Sequence, residues 1–232
     1  MPAPAAQPFA FDPATHTYTL AGRKLPSVTQ ILRAEGFIDD TGWNEFAMKR
    51  GSAVHEATLY YDEGRLDWGT VDPRIRGYLM AYIRFLGETG FKPRLMETPL
   101  ASAKLGYAGT FDRLGALADA ETLLDFKSGS AGYKPWHDLQ LGAYHGLIRE
   151  NRDALGLEIK DMPRRHFVLQ LMEDATYKLH PMKSQASEAI ACFLAALTTF
   201  NWKQKRGIHD GAATSDDGET EGRGCERAGA DA

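Results

Sequence analysis

The sequence predicts an α/β fold, and two patterns in its 232 residues carry that prediction. Four long segments, 43–62, 73–89, 134–150 and 183–204, repeat apolar residues at helical spacing. Between and after them, shorter runs at 92–101, 105–115, 121–127, 163–172 and 176–180 read as strands bounded by turn residues.

At the start, residues 9–25 alternate weakly around the turn signals Asp12-Pro13 and Ala21-Gly22, and predict a small hairpin. Ser27 then stands as the N-cap of a short helix ending near Gly36. In the helix over 43–62, Trp43, Phe46, Ala47, Val54, Ala57 and Tyr61 form the apolar stripe. Gly51 sits inside it at a cost relative to alanine, and permits close approach by another backbone or a ligand. His55 follows one turn later on the same face. Taken alone it reads as a hydrogen-bonded, half-buried histidine.

The next helix starts at Pro73 and stops before Gly90, with Leu79, Tyr82, Ile83 and Leu86 as its core stripe. Its Arg74, Arg76 and Arg84 either face a phosphate backbone or form a solvated helix surface. Strand 92–101 holds Glu97 followed by Thr98-Pro99, and the proline predicts an edge strand or a bulge. Helix 134–150 buries Trp136, Leu139, Ala143 and Leu147, and turns His137, Gln140 and Tyr144 to a second, more polar face. Residues 163–172 and 176–180 predict a second hairpin that extends the sheet. The last helix carries Ile190, Phe193, Leu194, Leu197 and Phe200. From Arg206 the chain is mostly Gly, Ala, Asp and Glu, with too little apolar surface to offset ordering entropy. One domain over 1–205 and a disordered acidic tail over 206–232 are therefore expected.

The formal charge of -4 belongs to that tail, which has three Arg against seven acids; residues 1–205 have 24 basic and 24 acidic residues. A whole-surface electrostatic footprint for nucleic acid is absent, so binding one would need a local basic patch or a metal. The opening MPAPAAQPF has neither a charged n-region nor an apolar h-region, so no secretory leader is expected. The longest apolar run, Ala189–Leu197, is too short to span a bilayer, and a cytoplasmic location without membrane attachment is the default expectation. Cys192 and Cys225 offer neither a disulfide framework nor a zinc pattern.

The chemistry concentrates in residues 109–129, GTFDRLGALADAETLLDFKSG, which read as two strands joined by a short polar loop. Successive strand side chains point to opposite faces, so Thr110 and Asp112 share a face, as do Asp125 and Lys127, with Phe111 and Phe126 opposed. Pairing as a hairpin lets Asp112, Asp125 and Lys127 converge. Two carboxylates and an ammonium there can hold a hard divalent cation and a water beside a phosphodiester. A lone Asp-x-Lys is by itself an ordinary surface pair. Glu158-Ile159-Lys160 has a similar form, but it lies in a polar link after a helix, with no Asp-bearing strand directly before it.

The context resembles the PD-(D/E)XK nuclease superfamily, and within it the RecB-type, phage-exonuclease-like enzymes. The resemblance spans most of 16–145 through motifs in one order: an H-x-Y strand and PSVTQIL, RGSAVHE at 50–56, Glu97, G-x-x-D with D-x-K, and the Q-x-x-x-Y run at 140–144. It implies a restriction-endonuclease-like α/β fold, a mixed central β-sheet flanked by α-helices. It also implies an Mg²⁺- or Mn²⁺-dependent deoxyribonuclease, an exonuclease trimming DNA ends in phage or prophage recombination or repair. His55, Asp112, Asp125 and the Phe126 carbonyl would hold the metal, and Lys127 would orient or deprotonate water. Glu97 would order a second metal or a water. Gln140, Tyr144 and Arg50 would contact DNA or support the site. The partners implied are DNA and a separate recombinase or single-strand-annealing protein. The four-cysteine iron–sulfur cluster of some relatives is not expected here. An endonuclease of the same fold and a non-catalytic DNA-end-binding scaffold stay open, as do polarity and oligomeric state.

Overall fold

The computed structural model describes residues 8–39, 45–129 and 132–208. Trp43 and the tail from residue 209 on lie outside them.

The N-terminal segment is a three-stranded antiparallel sheet, β1 (Phe9–Asp12), β2 (Thr17–Leu20) and β3 (Arg23–Leu25), one strand more than a simple hairpin. Helix α1 (Val28–Ala34) follows. Ser27 caps it reciprocally with Gln30, each side chain taking the other residue's backbone N–H. Such a cap is worth about 1 kcal/mol. The Pro26 carbonyl accepts the Ala108 N–H at 3.0 Å, which docks this segment on the larger sheet.

That sheet has the order β4 (Lys92–Ser102), β5 (Tyr107–Leu117), β6 (Ala120–Ser128), β7 (Arg165–Leu171), β8 (Tyr177–Pro181). All neighbours are antiparallel except β6 and β7. A parallel pair needs a crossover, and α4 (Trp136–Glu150) lies within it. Helices α2 (Glu45–Asp62) and α3 (Pro73–Thr89) lie between the two sheets in sequence, and α5 (Ala186–Lys205) closes the described chain. This is a mixed sheet flanked by helices, as expected. Proline-bearing β4 is an edge strand, with a register shift between Pro93 and Leu95.

Both faces of the sheet are buried. Val28, Ile31, Leu141, Leu147 and Phe193 of α1, α4 and α5 cover one face, meeting Phe111, Leu123 and Val168. Val54, Leu79, Tyr82 and Phe85 of α2 and α3 cover the other, meeting Leu124, Phe126 and Leu169. Double burial explains why TLLDF and HFVLQL read as nearly unbroken apolar runs.

Several expectations need correction. Phe46, placed on the α2 core stripe, is 52% exposed and packs against the Arg50 and Arg74 guanidiniums instead. No backbone closes on Gly51: a Cβ there would meet only Ser128 Oγ, at 3.9 Å. The polar face of α4 is not a surface, since His137, Gln140 and Tyr144 are all buried. Arg74 and Arg84 pair within their own helix region, with Asp72 and Glu88. Glu158-Ile159-Lys160 sits on an exposed single-turn 3-10 segment, with Lys160 3.0 Å from Glu158.

Two histidines join α4 to β7: His145 Nδ1 lies 2.8 Å from His166 Nε2. Burial, with a further push from His145, depresses His166 to about 4, and burial with the nearby Lys127 charge brings His137 to about 4. Both folded values lie below the unfolded value near 6.5. Their contribution to stability is thus complete above about pH 6.5. Between there and about pH 4 the unfolded chain takes up protons that the native state refuses, and stability falls. Melting temperature is expected to drop across that window, and His166→Gln to flatten the slope. Identical slopes for the two proteins would refute this account.

Candidate active site

Strands β5 and β6 pair from Leu117↔Ala120 to Arg113↔Leu124, and their ladder stops there. One residue further on, Asp112 Oδ2 accepts the Phe126 N–H, so a side chain takes over a donor that the ladder leaves. Asp112 and Arg113, though consecutive, both reach α2: Asp112 Oδ1 is 3.6 Å from His55 Nδ1, and Arg113 pairs with Asp62. Strict alternation breaks at the residue carrying the carboxylate. Glu97, its neighbour on β4, shows the same irregularity as a φ of 39° inside a strand.

The result is a cluster from three elements. His55 of α2, Glu97 of β4 and Asp112 of β5 each offer a ligand atom, all within 4.8 Å of one another. It is the one such group of three among the described residues. His55 Nδ1 lies 3.1 Å from Glu97 Oε1. The His55 and Glu97 side chains are 30% and 22% exposed against 8% for Asp112, so the cluster opens to solvent on their side.

Asp125 stands beside this group rather than within it. Its Oδ2 is 2.6 Å from Lys127 Nζ. That is an ion pair without hydrogen-bond geometry, and Oδ2 is buried with no hydrogen-bond donor. Lys127 Nζ donates to Gln140 Oε1 at 3.2 Å, and Gln140 Nε2 donates to Tyr144 OH at 3.0 Å. The Tyr144 ring needs Gly109 opposite it, because a Cβ there would lie 2.8 Å from Tyr144 Cε1. This gives the first residue of the G-x-x-D run a steric role. Arg50 is tied inward: its Nη2 donates to the Ser128 carbonyl at 3.0 Å. The Phe126 side chain packs in the α2–α3 core.

The electrostatics describe a site short of positive charge. Burial pushes the Asp112 carboxyl up, and Asp125 and Glu97 add to that against the pull of His55 and Lys127. Burial alone would hold His55 down, but the Asp112 charge and the Glu97 hydrogen bond outweigh it and raise it. Glu97, pushed up by burial, is drawn down further by His55 and Arg113. His55 Nδ1 thus faces both carboxylates. A cation binding there competes with a proton, because the imidazole must be neutral to coordinate. Two carboxylates and an imidazole, with the Asp125 carboxylate beside them, form a donor set that fits a divalent cation.

The sequence reading passed over Arg113, Asp62 and Thr58, and gave Tyr82 only a core role. Arg113 is wholly buried and donates to Asp62, Glu97 and Thr58, and Asp62 also accepts from Tyr82 OH. The available signal was an arginine inside the strand FDRLGAL; Asp62, at a helix end, carried none.

No family model matches this chain, and no curated protein matches it in sequence. Among solved structures it is similar to a candidate exonuclease from Eubacterium rectale, at 12% identity and a TM-score of 0.48, over 80% of this chain and 83% of that one. It is also similar to LHK-Exo, an alkaline exonuclease from Laribacter hongkongensis, solved with dAMP (13% identity, TM-score 0.32, 79% and 93% covered). Likeness of this degree assigns no activity to this chain. No described helix is long and apolar enough to cross a membrane.

Proposed function

We propose that this chain is a divalent-metal-dependent deoxyribonuclease, acting as an exonuclease at DNA ends in phage or prophage recombination or repair. The observation that carries the proposal is the convergence of His55, Glu97 and Asp112 within 4.8 Å, beside the buried Asp125 carboxylate that pairs with Lys127. A bound Mg²⁺ or Mn²⁺ would polarise a phosphoryl oxygen and lower the pKa of a bound water. His55, Asp112 and Asp125 hold the cation, with Glu97 as a further ligand or a water-ordering group and the Phe126 carbonyl as an added oxygen. Lys127, steadied by Asp125 and Gln140, orients the attacking water and offsets charge on the phosphate. Tyr144 and Arg50 act by support, through Gln140 and the Ser128 carbonyl. All of this chemistry lies in the α/β domain over 1–205, and none in the acidic stretch from 206.

The test is digestion of end-labelled linear DNA, with Mg²⁺, with Mn²⁺ and with chelator. Release of end label with either metal and none with chelator is expected. A covalently closed circle should resist, and its cleavage would make the enzyme an endonuclease. Undiminished cleavage in chelator would remove the metal from the proposal.

A further inference from the structure

Arg113 heads the large side chains that the protein buries completely. Its Nε donates to Asp62 Oδ2 at 2.7 Å, and its Nη2 to Thr58 Oγ1 at 3.2 Å. Its Nη1 donates twice, to Glu97 Oε1 at 2.8 Å and to the Asp112 carbonyl at 2.7 Å. The Phe126 ring faces the guanidinium, 5.0 Å from its centre.

A buried guanidinium needs a counter-charge, and Asp62, with its side chain only 2% exposed, supplies one. Glu97 is not needed for that purpose. It is the more exposed acid, and its backbone lies at a φ of 39°, where a glutamate in a strand is strained. The two donors that hold its carboxylate, Arg113 Nη1 and His55 Nδ1, both take Oε1. The arginine fork thus grips α2 through Asp62 and Thr58, the β5 backbone through Asp112, and the β4 side chain through Glu97. Those are the three elements that carry the cluster. Lysine, a point donor on a flexible stem, cannot reproduce this geometry.

We propose that Arg113 is the positioning residue of the cation site, holding Glu97 in place beside His55 and Asp112 before a cation arrives. The inference rests on the cation site proposed above. A positive charge next to a cation site repels the cation, so electrostatics alone predicts no weaker binding when the charge is kept and only the fork is lost. If Arg113 positions Glu97, loss of the fork weakens binding.

Arg113→Met would strand the Asp62 carboxylate and endanger the fold, so the test uses Arg113→Lys, which keeps the charge. Mn²⁺ binding to the full chain is measured by titration calorimetry without DNA, with a melting curve for each protein. The dissociation constant is expected to rise about tenfold, the lower end of what loss of an orienting partner costs a metal site. In a Glu97→Ala background, Arg113→Lys should have no further effect, because the residue it acts through is gone. Equal or tighter Mn²⁺ binding by Arg113→Lys overturns the inference. So does a loss that persists in full without Glu97, which would mean that Arg113 acts through the fold alone. Failure of the unmodified chain to bind Mn²⁺ overturns the cation site and this inference with it. Normal binding by the unmodified chain and by Arg113→Lys removes only the positioning role.

Discussion

Asp112→Asn is expected to lower metal-dependent cleavage about a thousandfold, the rate equivalent of several kcal/mol of transition-state charge stabilisation. The substitution is chosen for what it keeps. An asparagine oxygen still accepts the Phe126 N–H that Asp112 Oδ2 takes, so the junction of β5 and β6 retains its hydrogen bond. What it deletes is one of the two negative charges facing His55. The melting temperature should stay within a few degrees of the unmodified protein, since the lost carboxylate is buried among other acids and is not a source of stability without a cation. Cleavage rate and melting curve together decide the matter. Retained activity in Asp112→Asn would dismiss the carboxylate as a participant, and a collapse of both would show that it serves the fold.

Gly77→Ala should do the reverse, damaging stability at a position far from any proposed chemistry in sequence. Gly77 lies inside α3, where alanine has the better intrinsic propensity by about 1 kcal/mol. Helix propensity alone therefore predicts stabilisation. The structure predicts loss, because a Cβ at Gly77 would sit 1.7 Å from the Glu173 carbonyl oxygen and 2.6 Å from its carbon. Those are backbone atoms of the turn between β7 and β8, and they cannot swing aside as a flexible side chain would. A contact this close, against backbone, places the overpacking cost at the upper end of the usual range, about 3 kcal/mol. In a domain of this size that corresponds to a melting temperature lower by roughly 6–12 °C. A variant that melts at or above the unmodified protein would mean that the turn moves freely off α3.

Much of this protein is legible without coordinates. Ser27 signals a helix N-cap, Pro73 and Gly90 bracket a helix, and DFK ends a strand; each is set by local residues. The expected α/β sheet with flanking helices followed from such local patterns and their order. The same alternation placed Asp125 and Lys127 together, and they lie 2.6 Å apart. The tertiary structure alone decided the membership of the cluster. It brought Glu97 beside His55 across 42 residues of chain and set Asp125 next to it, tied to Lys127. It also buried Arg113 against Asp62 across 51 residues, exposed Phe46 and buried the polar side of α4. Periodicity records which face of an element is apolar, but not which other face it meets. A charge in a strand therefore reads alike whether it ends in solvent, in an ion pair or in a buried fork. That choice depends on partners distant in sequence, whose approach is set by how the two buried faces of the sheet are covered.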